Sequence, residues 1–359
     1  MAASQAEARK KPLLGSSREE LAELASRLDL PAFRGKEAYR WLYSLREANP
    51  LNWTSFPKGA REALSALTTP GVPEIAGEQL SGDGTRKFLL RLGDGEQVEA
   101  VYIPDGKRRT VCISSQVGCP VGCAFCLTAR LGFTRNLAVG EIIGQLYAVE
   151  AKTDLRDFQY NVVFMGMGEP LLNAAEVEKA LFLMEDPDGM GISWRRITVS
   201  TIGVSDLLLD FAKSEVCPRL AISLHAAHDK LREKIVPVNR AYPLGRIRKV
   251  LEALSRRETE RISLEYVLLA GVNDSDEEAR RLARFAKGLK VKVNLIPFNP
   301  AEGLPFQPSS AERTAAFREI IEGGGVTARV RKSRGLDILA ACGQLARAGW
   351  EQDRVRVRR

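Results

Sequence analysis

Apolar and polar positions change their period several times along the chain, and each change predicts a different element. In "SREELAELASRL", Leu21, Leu24 and Leu28 recur at helical spacing. Ser17 and Glu20 open that stretch three residues apart, the capping-box arrangement in which each side chain satisfies the other's backbone amide. "GKEAYRWLYSLRE" and "GAREALSAL" repeat the helical spacing, each behind glycine or proline signals. Residues 12 to about 70 therefore read as a small helical domain. The period then changes. "RKFLLRL", "GDG" and "EQVEAVYIP" predict a hairpin with a glycine turn, and "RRTVCISS" predicts a further strand.

From there strands alternate with helices. Strands predicted at 162–166, 197–201, 219–225, 261–269 and 291–298 are separated by helical stretches such as "GEIIGQLYAVEAK" and "SDEEARRLARFAKGL". Six strands alternating in this way imply a parallel sheet with right-handed crossovers, either open or rolled into a barrel. "MGEP", "STIG", "SLHAAH", "AGVND" and "PFNP" follow successive strands. Any one of them would pass as ordinary turn chemistry. Five at one end of a sheet favour a site at the carboxyl ends of the strands.

Composition narrows the class. The chain has 359 residues, 45% of them hydrophobic and 27% charged, which fits a globular protein of more than one domain. No apolar run reaches the length of a membrane span, and the first residues lack an apolar signal core, so a cytoplasmic protein with no membrane partner is expected. The net charge of +8 and pI near 9.2 permit a polyanionic partner.

Six cysteines are too few for a disulfide scaffold in a chain of this length, and three of them sit together in "CPVGCAFC". Cys119, Cys123 and Cys126 have the spacing Cys-x3-Cys-x2-Cys. Thiolates suit zinc or iron–sulfur clusters. Zinc would need a fourth ligand from Cys112, Cys342 or a histidine. A four-iron cluster on three cysteines leaves one iron open to a small molecule. Taken with the alternating strands, the open cluster is favoured.

This loop carries a resemblance to the radical S-adenosylmethionine (SAM) enzymes, whose signature is the same spacing. "SSQVGCPVGCAFC", "GFTRNL", "MGMGEPLLN", "SLHAAHD", "LLAGVNDS" and "NLIPFNP" together resemble, more narrowly, the dual-specificity RNA methyltransferases that modify C2 of adenine. Matching segments run from about residue 12 to 345. The departures are Leu127, where small residues are commoner, and His228, where asparagine is usual.

The resemblance implies an α/β fold, a partial (β/α)6 parallel barrel of radical SAM type with a small N-terminal helical domain and a β-hairpin extension. It divides the chain into an RNA-docking helical domain at 1–75, the hairpin extension at 76–108, the barrel at 109–325 and a C-terminal segment at 326–359. That last segment holds a methyl-carrying cysteine and the basic tail "RVRVRR". The resemblance further implies a 4Fe-4S cluster on Cys119, Cys123 and Cys126, and two SAM molecules per turnover. SAM contacts are expected at Gly168, Glu169, Ser200, Ser223, Leu224, His225 and Asn299. Glu169 is expected to offer its carboxylate to the SAM ammonium. His225 is expected to act through backbone and ring contacts rather than acid–base chemistry.

The implied reaction uses both outer cysteines. One SAM methylates Cys342, and a 5′-deoxyadenosyl radical from the second removes a hydrogen from that S-methyl group. The resulting methylene radical adds to C2. Cys112 then attacks the sulfur of Cys342, releasing methylated RNA and leaving a transient disulfide. The segment around Cys342, "RGLDILAACGQ", is flanked by glycines and expected to be mobile enough to reach inward. Glu99 matches the candidate proton acceptor for C2; on its own residues it reads as a solvated strand carboxylate. Cys217, with no motif around it, is expected to be an inert thiol. The implied substrates are 23S rRNA and the adenine next to the anticodon in tRNA. The electron donor is expected to be flavodoxin-like and the protein a monomer. A related C8 methyltransferase shares the cluster and both outer cysteines, but the helical start and "GFTRNL…MGMGEPLLN" favour C2. An RNA-binding iron–sulfur protein without catalysis would need neither Cys342 nor Cys112.

Overall fold

The computed structural model describes residues 10–216, 218–254, 262–346 and 350; Cys217 and the tail "RVRVRR" lie outside them. Ten strands lie side by side in the order in which the chain makes them. They are β1 (Glu74–Leu80), β2 (Arg86–Arg91), β3 (Gln97–Asp105), β4 (Arg108–Cys112), β5 (Asn161–Phe164), β6 (Ile197–Thr201), β7 (Arg219–Ser223), β8 (Ile262–Leu268), β9 (Lys292–Pro297) and β10 (Ala328–Val330). β1 to β4 pair antiparallel, and β4 to β10 pair parallel. The strand order never reverses. Right-handed crossovers then carry every connecting helix to one face, and the other face becomes the interior of a partial barrel.

The crossovers hold α4 (Val139–Glu150), α5 (Ala174–Glu185), α6 (Ser205–Lys213), α7 (Asp229–Ile235), α8 (Leu244–Ala253), α9 (Asp276–Ala286) and α10 (Ala311–Gly323). The fully buried Val111, Val162, Val199, Ile222, Leu264 and Val293 come from six adjacent strands, so the core is continuous across the sheet. β6 has the bounds read from the sequence, and β5, β7, β8 and β9 stop one or two residues sooner. Their last residues turn away to build the loops described below. The two edge strands were not read. In β1 exposed residues alternate with half-buried ones, leaving no strong apolar face, and β10 is only three residues long.

The helical start comprises α1 (Arg18–Ser26), α2 (Phe33–Tyr39, continued by a wider turn over Arg40–Ser44) and α3 (Lys58–Leu67). The capping box is formed: the Glu20 amide donates to Ser17 Oγ at 3.2 Å, and the Ser17 amide donates to Glu20 Oε2 at 2.8 Å. This unit packs directly on the barrel. A Cβ at Gly15 would lie 2.6 Å from the Gly140 amide nitrogen in α4, so the contact requires glycine. Arg18 pairs with Asp186 at 2.6 Å, and the Tyr39 hydroxyl donates to the same carboxylate at 2.6 Å. No helix among the described residues is long and apolar enough to cross a membrane.

Candidate active site

After β4 the chain makes a short antiparallel pair, Gln116–Gly118 with Phe133–Asn136, and the cysteine loop lies between the two arms. The loop is pinned at three points. The Cys119 amide donates to Gly132 O at 2.8 Å, the Ala124 amide to Ile235 O at the end of α7 at 2.9 Å, and the Leu127 amide to Gly343 O at 2.7 Å. Cys119, Cys123 and Cys126 stay partly exposed and act on one another electrostatically. Burial pushes the Cys119 thiol up to about 12 and Cys123 well above its ordinary value. A bound cation reverses that cost, because a metal-coordinated thiol is deprotonated outright. Among the described residues, no three His, Cys, Asp or Glu side chains gather as a chelate for a single ion. Three thiols on one loop suit a cluster in which each binds its own iron and one iron stays open.

The turns after the strands surround this loop. Gly168, after β5, has φ +109°, and a Cβ there would sit 2.7 Å from Gln116 Cβ and Ser115 Oγ. Glu169 is buried. Its Oε1 accepts from the Leu171 amide at 3.1 Å and its Oε2 from the Ile202 amide at 2.9 Å. The carboxylate thus ties the turn after β5 to the end of β6. Burial raises it to about 7, against the pull of the Thr201 hydroxyl and these amides. The Ser200 and Ser223 hydroxyls lie 3.2 Å apart across β6 and β7.

Leu224 and His225 follow β7, and both amides donate to Glu265 O, at 2.9 and 3.2 Å. His225 is held at φ +60°. Its Nδ1 accepts from the Val267 amide at 3.1 Å, and its ring meets Phe125 of the cysteine loop edge-on at 4.7 Å. Burial first, then the nearby Arg232 charge, lower His225 to about 3, so the ring is neutral with its proton on Nε2. A ring held this way does no acid–base work near neutral pH.

Asn299, after β9, reaches the C-terminal segment. Its Nδ2 donates to Cys342 O at 3.0 Å, and its Oδ1 accepts from Ser333 Oγ at 2.6 Å. Gln344 Nε2 donates to Pro300 O at 2.7 Å. Together with the Leu127–Gly343 bond, these contacts fix the segment expected to move. Cys342 keeps solvent-accessible surface yet is surrounded by protein, as a residue lining a cleft is. Burial raises its thiol, and Glu265 and Cys126 act on it. Cys112, at the end of β4, is buried. Burial and then Cys342 push its thiol up. The two outer cysteines therefore come within electrostatic reach beside the cluster loop.

Glu99 departs from its residue-level reading as a solvated carboxylate. It is 0% exposed on β3 and forms an ion pair with Lys87 Nζ at 3.3 Å. Its Oε1 also accepts from Trp350 Nε1 at 2.7 Å.

Several site residues escaped the sequence reading. Lys87 left a weak signal, a charge inside the apolar run "KFLL". Gln145, buried in α4, bonds both the amide and the carbonyl of Ser114 at 2.8 Å, yet resembles any polar residue of a helix. Arg232, in "DKLREKI", reads as a surface helix position but is fully buried. His228 caps α7, its Nδ1 accepting from the Leu231 amide at 3.3 Å, the task an asparagine oxygen would perform.

Known proteins share these features. The Radical SAM superfamily profile matches residues 113–283. A dual-specificity RNA methyltransferase RlmN from Anaeromyxobacter sp. (strain Fw109-5) is 44% identical over 339 residues, covering 93% of this chain and 90% of that protein. The RlmN of Alkalilimnicola ehrlichii is 44% identical over 346 residues, covering 96% of this chain and 95% of its own. A solved radical SAM methyltransferase from Sphaerobacter thermophilus matches with a TM-score of 0.87 at 39% identity, over 93% of this chain and 99% of that one. With such identity along nearly its whole length, this chain belongs to the dual-specificity RNA methyltransferase (RlmN) family of radical SAM enzymes.

Proposed function

We propose that this enzyme methylates C2 of a specific adenine in 23S rRNA and of the adenine next to the anticodon in tRNA. The observation that supports the reading is that the segment carrying Cys342 is bonded to the cysteine loop through Leu127 and Gly343, within electrostatic reach of Cys112. A protein that only bound RNA and a cluster would have no use for this second pair.

Cys119, Cys123 and Cys126 hold the 4Fe-4S cluster, which when bound supplies the electron that opens SAM. The Gly168–Glu169 turn meets the SAM amino group, with the Glu169 carboxylate as partner of the ammonium while two backbone amides keep it in place. Ser200, Ser223, Leu224, His225 and Asn299 complete the SAM contacts. Cys342 carries the new carbon and becomes joined through it to adenine C2. Glu99 accepts the proton lost from C2. Cys112 attacks the Cys342 sulfur; the sulfur–carbon bond breaks with its electron pair on carbon, which takes up a proton to become the methyl group, freeing the RNA and leaving a disulfide between the two cysteines. Residues 1–75 dock the RNA, 76–108 extend the sheet, 109–325 form the barrel and 326–359 bring in the carrier. A flavodoxin-like protein supplies electrons to a monomeric enzyme.

The test is a denaturing gel after anaerobic incubation with SAM, reductant and RNA. Cys112→Ala should trap RNA covalently on the protein, and Cys342→Ala should yield neither loaded methyl nor adduct. NMR of the product nucleoside should place the methyl on C2. A methyl on C8, or normal turnover by Cys112→Ala, would overturn the reading.

A further inference from the structure

Arg232 is 0% exposed, and its guanidinium lies among the ends of β6 and β7. All five of its N–H groups are used. Nε donates to Leu224 O at 2.9 Å; Nη1 to Asn239 Oδ1 at 2.8 Å and Tyr242 O at 3.1 Å; Nη2 to Ile202 O at 2.6 Å and Ser223 O at 3.1 Å. Every one of those acceptors is neutral. Asp229 and Glu169 feel the charge, but no carboxylate among the described residues comes within 4.0 Å of it. Among the described residues, the fully buried Lys87 and the largely buried Arg46 are by contrast each paired with a glutamate. Burial lowers Arg232 only to about 10, so it stays charged near neutrality.

A buried charge without a counter-ion is costly, and proteins keep one where an anion completes it. The helix that carries Arg232, α7, also touches the cysteine loop. The carbonyl of Ile235 at the end of α7 accepts the Ala124 amide from inside the cysteine loop, between Cys123 and Cys126. Arg232 and Cys123 act on each other across this contact. With no N–H left to give, Arg232 cannot grip a ligand. It can act only through its field and by holding the ends of β6 and β7.

We propose that Arg232 is a fixed positive charge placed within electrostatic reach of the cysteine loop, which stabilises the reduced, more negative 4Fe-4S cluster and so raises its reduction potential. Arg232 is a positioning and tuning residue, because it touches neither cluster nor substrate. The proposal rests on Cys119, Cys123 and Cys126 being the cluster ligands.

The test is a redox titration of the reconstituted full-length protein without SAM or RNA, followed by the electron paramagnetic resonance signal of the reduced cluster. Arg232→Lys keeps the charge and should hold the parent potential. Arg232→Gln removes the charge and should reduce the equilibrium constant for reduction at least tenfold, a shift of about 59 mV to more negative potential. Arg232→citrulline, inserted as a noncanonical residue, keeps the shape and most donors without the charge, and covers the case in which Arg232→Gln does not fold. It should shift as far as Arg232→Gln. Neutral variants with full cluster content and the parent potential would overturn the proposal alone. A parent protein that takes up no iron–sulfur cluster would instead overturn the ligand assignment beneath it.

Discussion

The indole N–H of Trp350 donates to a carboxylate oxygen of Glu99 at 2.7 Å, joining the last described residue to the third strand of the sheet. The same oxygen lies 3.3 Å from Lys87 Nζ, and that ammonium lies 5.1 Å from the centre of the Trp350 ring. The ring rests on Gly77 of β1, where a Cβ would come within 2.7 Å of it. Glu99 is thereby enclosed on the side from which the C-terminal segment arrives.

Removing the indole should separate two half-reactions. Methyl loading on Cys342 needs no base at C2, whereas RNA methylation does. Trp350→Ala should leave loading unchanged and slow RNA methylation about tenfold, the worth of one hydrogen bond to a charged group. Single-turnover assays with labelled SAM measure both. An equal loss in the two would mean that Trp350 supports the fold and not Glu99.

Lys87→Met should cost about 3–5 kcal/mol of stability, because it leaves the Glu99 carboxylate buried without its cation. Adding Glu99→Gln to that variant should recover most of the loss. Urea denaturation of the three variants decides the matter, and a single-variant loss below about 1 kcal/mol would contradict the pairing.

Two buried groups give opposing pH dependences in the cluster-free protein. His225 falls from 6.5 to about 3 on folding, so its contribution is complete above pH 6.5 and is lost as pH drops toward 3. Glu169 rises from 4.5 to about 7, so its contribution is complete below pH 4.5 and is lost as pH climbs toward 7. Each slope is about 1.4 kcal/mol per pH unit, and the two cancel between 4.5 and 6.5. His225→Asn tolerates the backbone and keeps an acceptor for the Val267 amide. Relative to the parent, it should gain about 3 kcal/mol on going from pH 6.5 to 4.5. A constant gap between the two denaturation curves across that range would rule out a neutral, buried His225.

Asn299 offers a cleaner separation of roles. Asn299→Ala frees the Cys342 carbonyl and the Ser333 hydroxyl. If its main task is to seat the carrier segment, SAM affinity should stay within about twofold while methyl loading slows about tenfold, one lost hydrogen bond near 1.4 kcal/mol. Calorimetry and the loading assay give the two numbers. A SAM affinity that falls in step with loading would return Asn299 to a plain cofactor contact.

What could be read from the sequence follows from the range of each signal. The period of β6 is a local property, and its bounds were legible residue by residue. The cysteine loop was legible because its ligands lie within eight positions. Arg232 was not, because its five acceptors come from residues 202 to 242 and are four backbone carbonyls and the side-chain amide oxygen of Asn239, none of which stands out in the sequence. Glu99 looked solvated because its neighbours in sequence alternate, while Lys87 and Trp350 reach it only through pairing of β2 with β3 and the return of the chain end. The carboxylate of Glu169 was legible as a partner for an ammonium, but its tie to the amides of Leu171 and Ile202 was not, because those amides belong to two different loops.

The ten strands follow the order of synthesis, so each finds its neighbour already made as it leaves the ribosome. No strand has to wait for a later one to open a gap beside it, and loop-closure entropy is met in small steps. The cysteine loop, at 119–126, is complete when barely a third of the chain exists, whereas Cys342 and Trp350 come at its end. A prematurely terminated chain would therefore carry the whole cysteine loop but lack both Cys342 and the indole over Glu99.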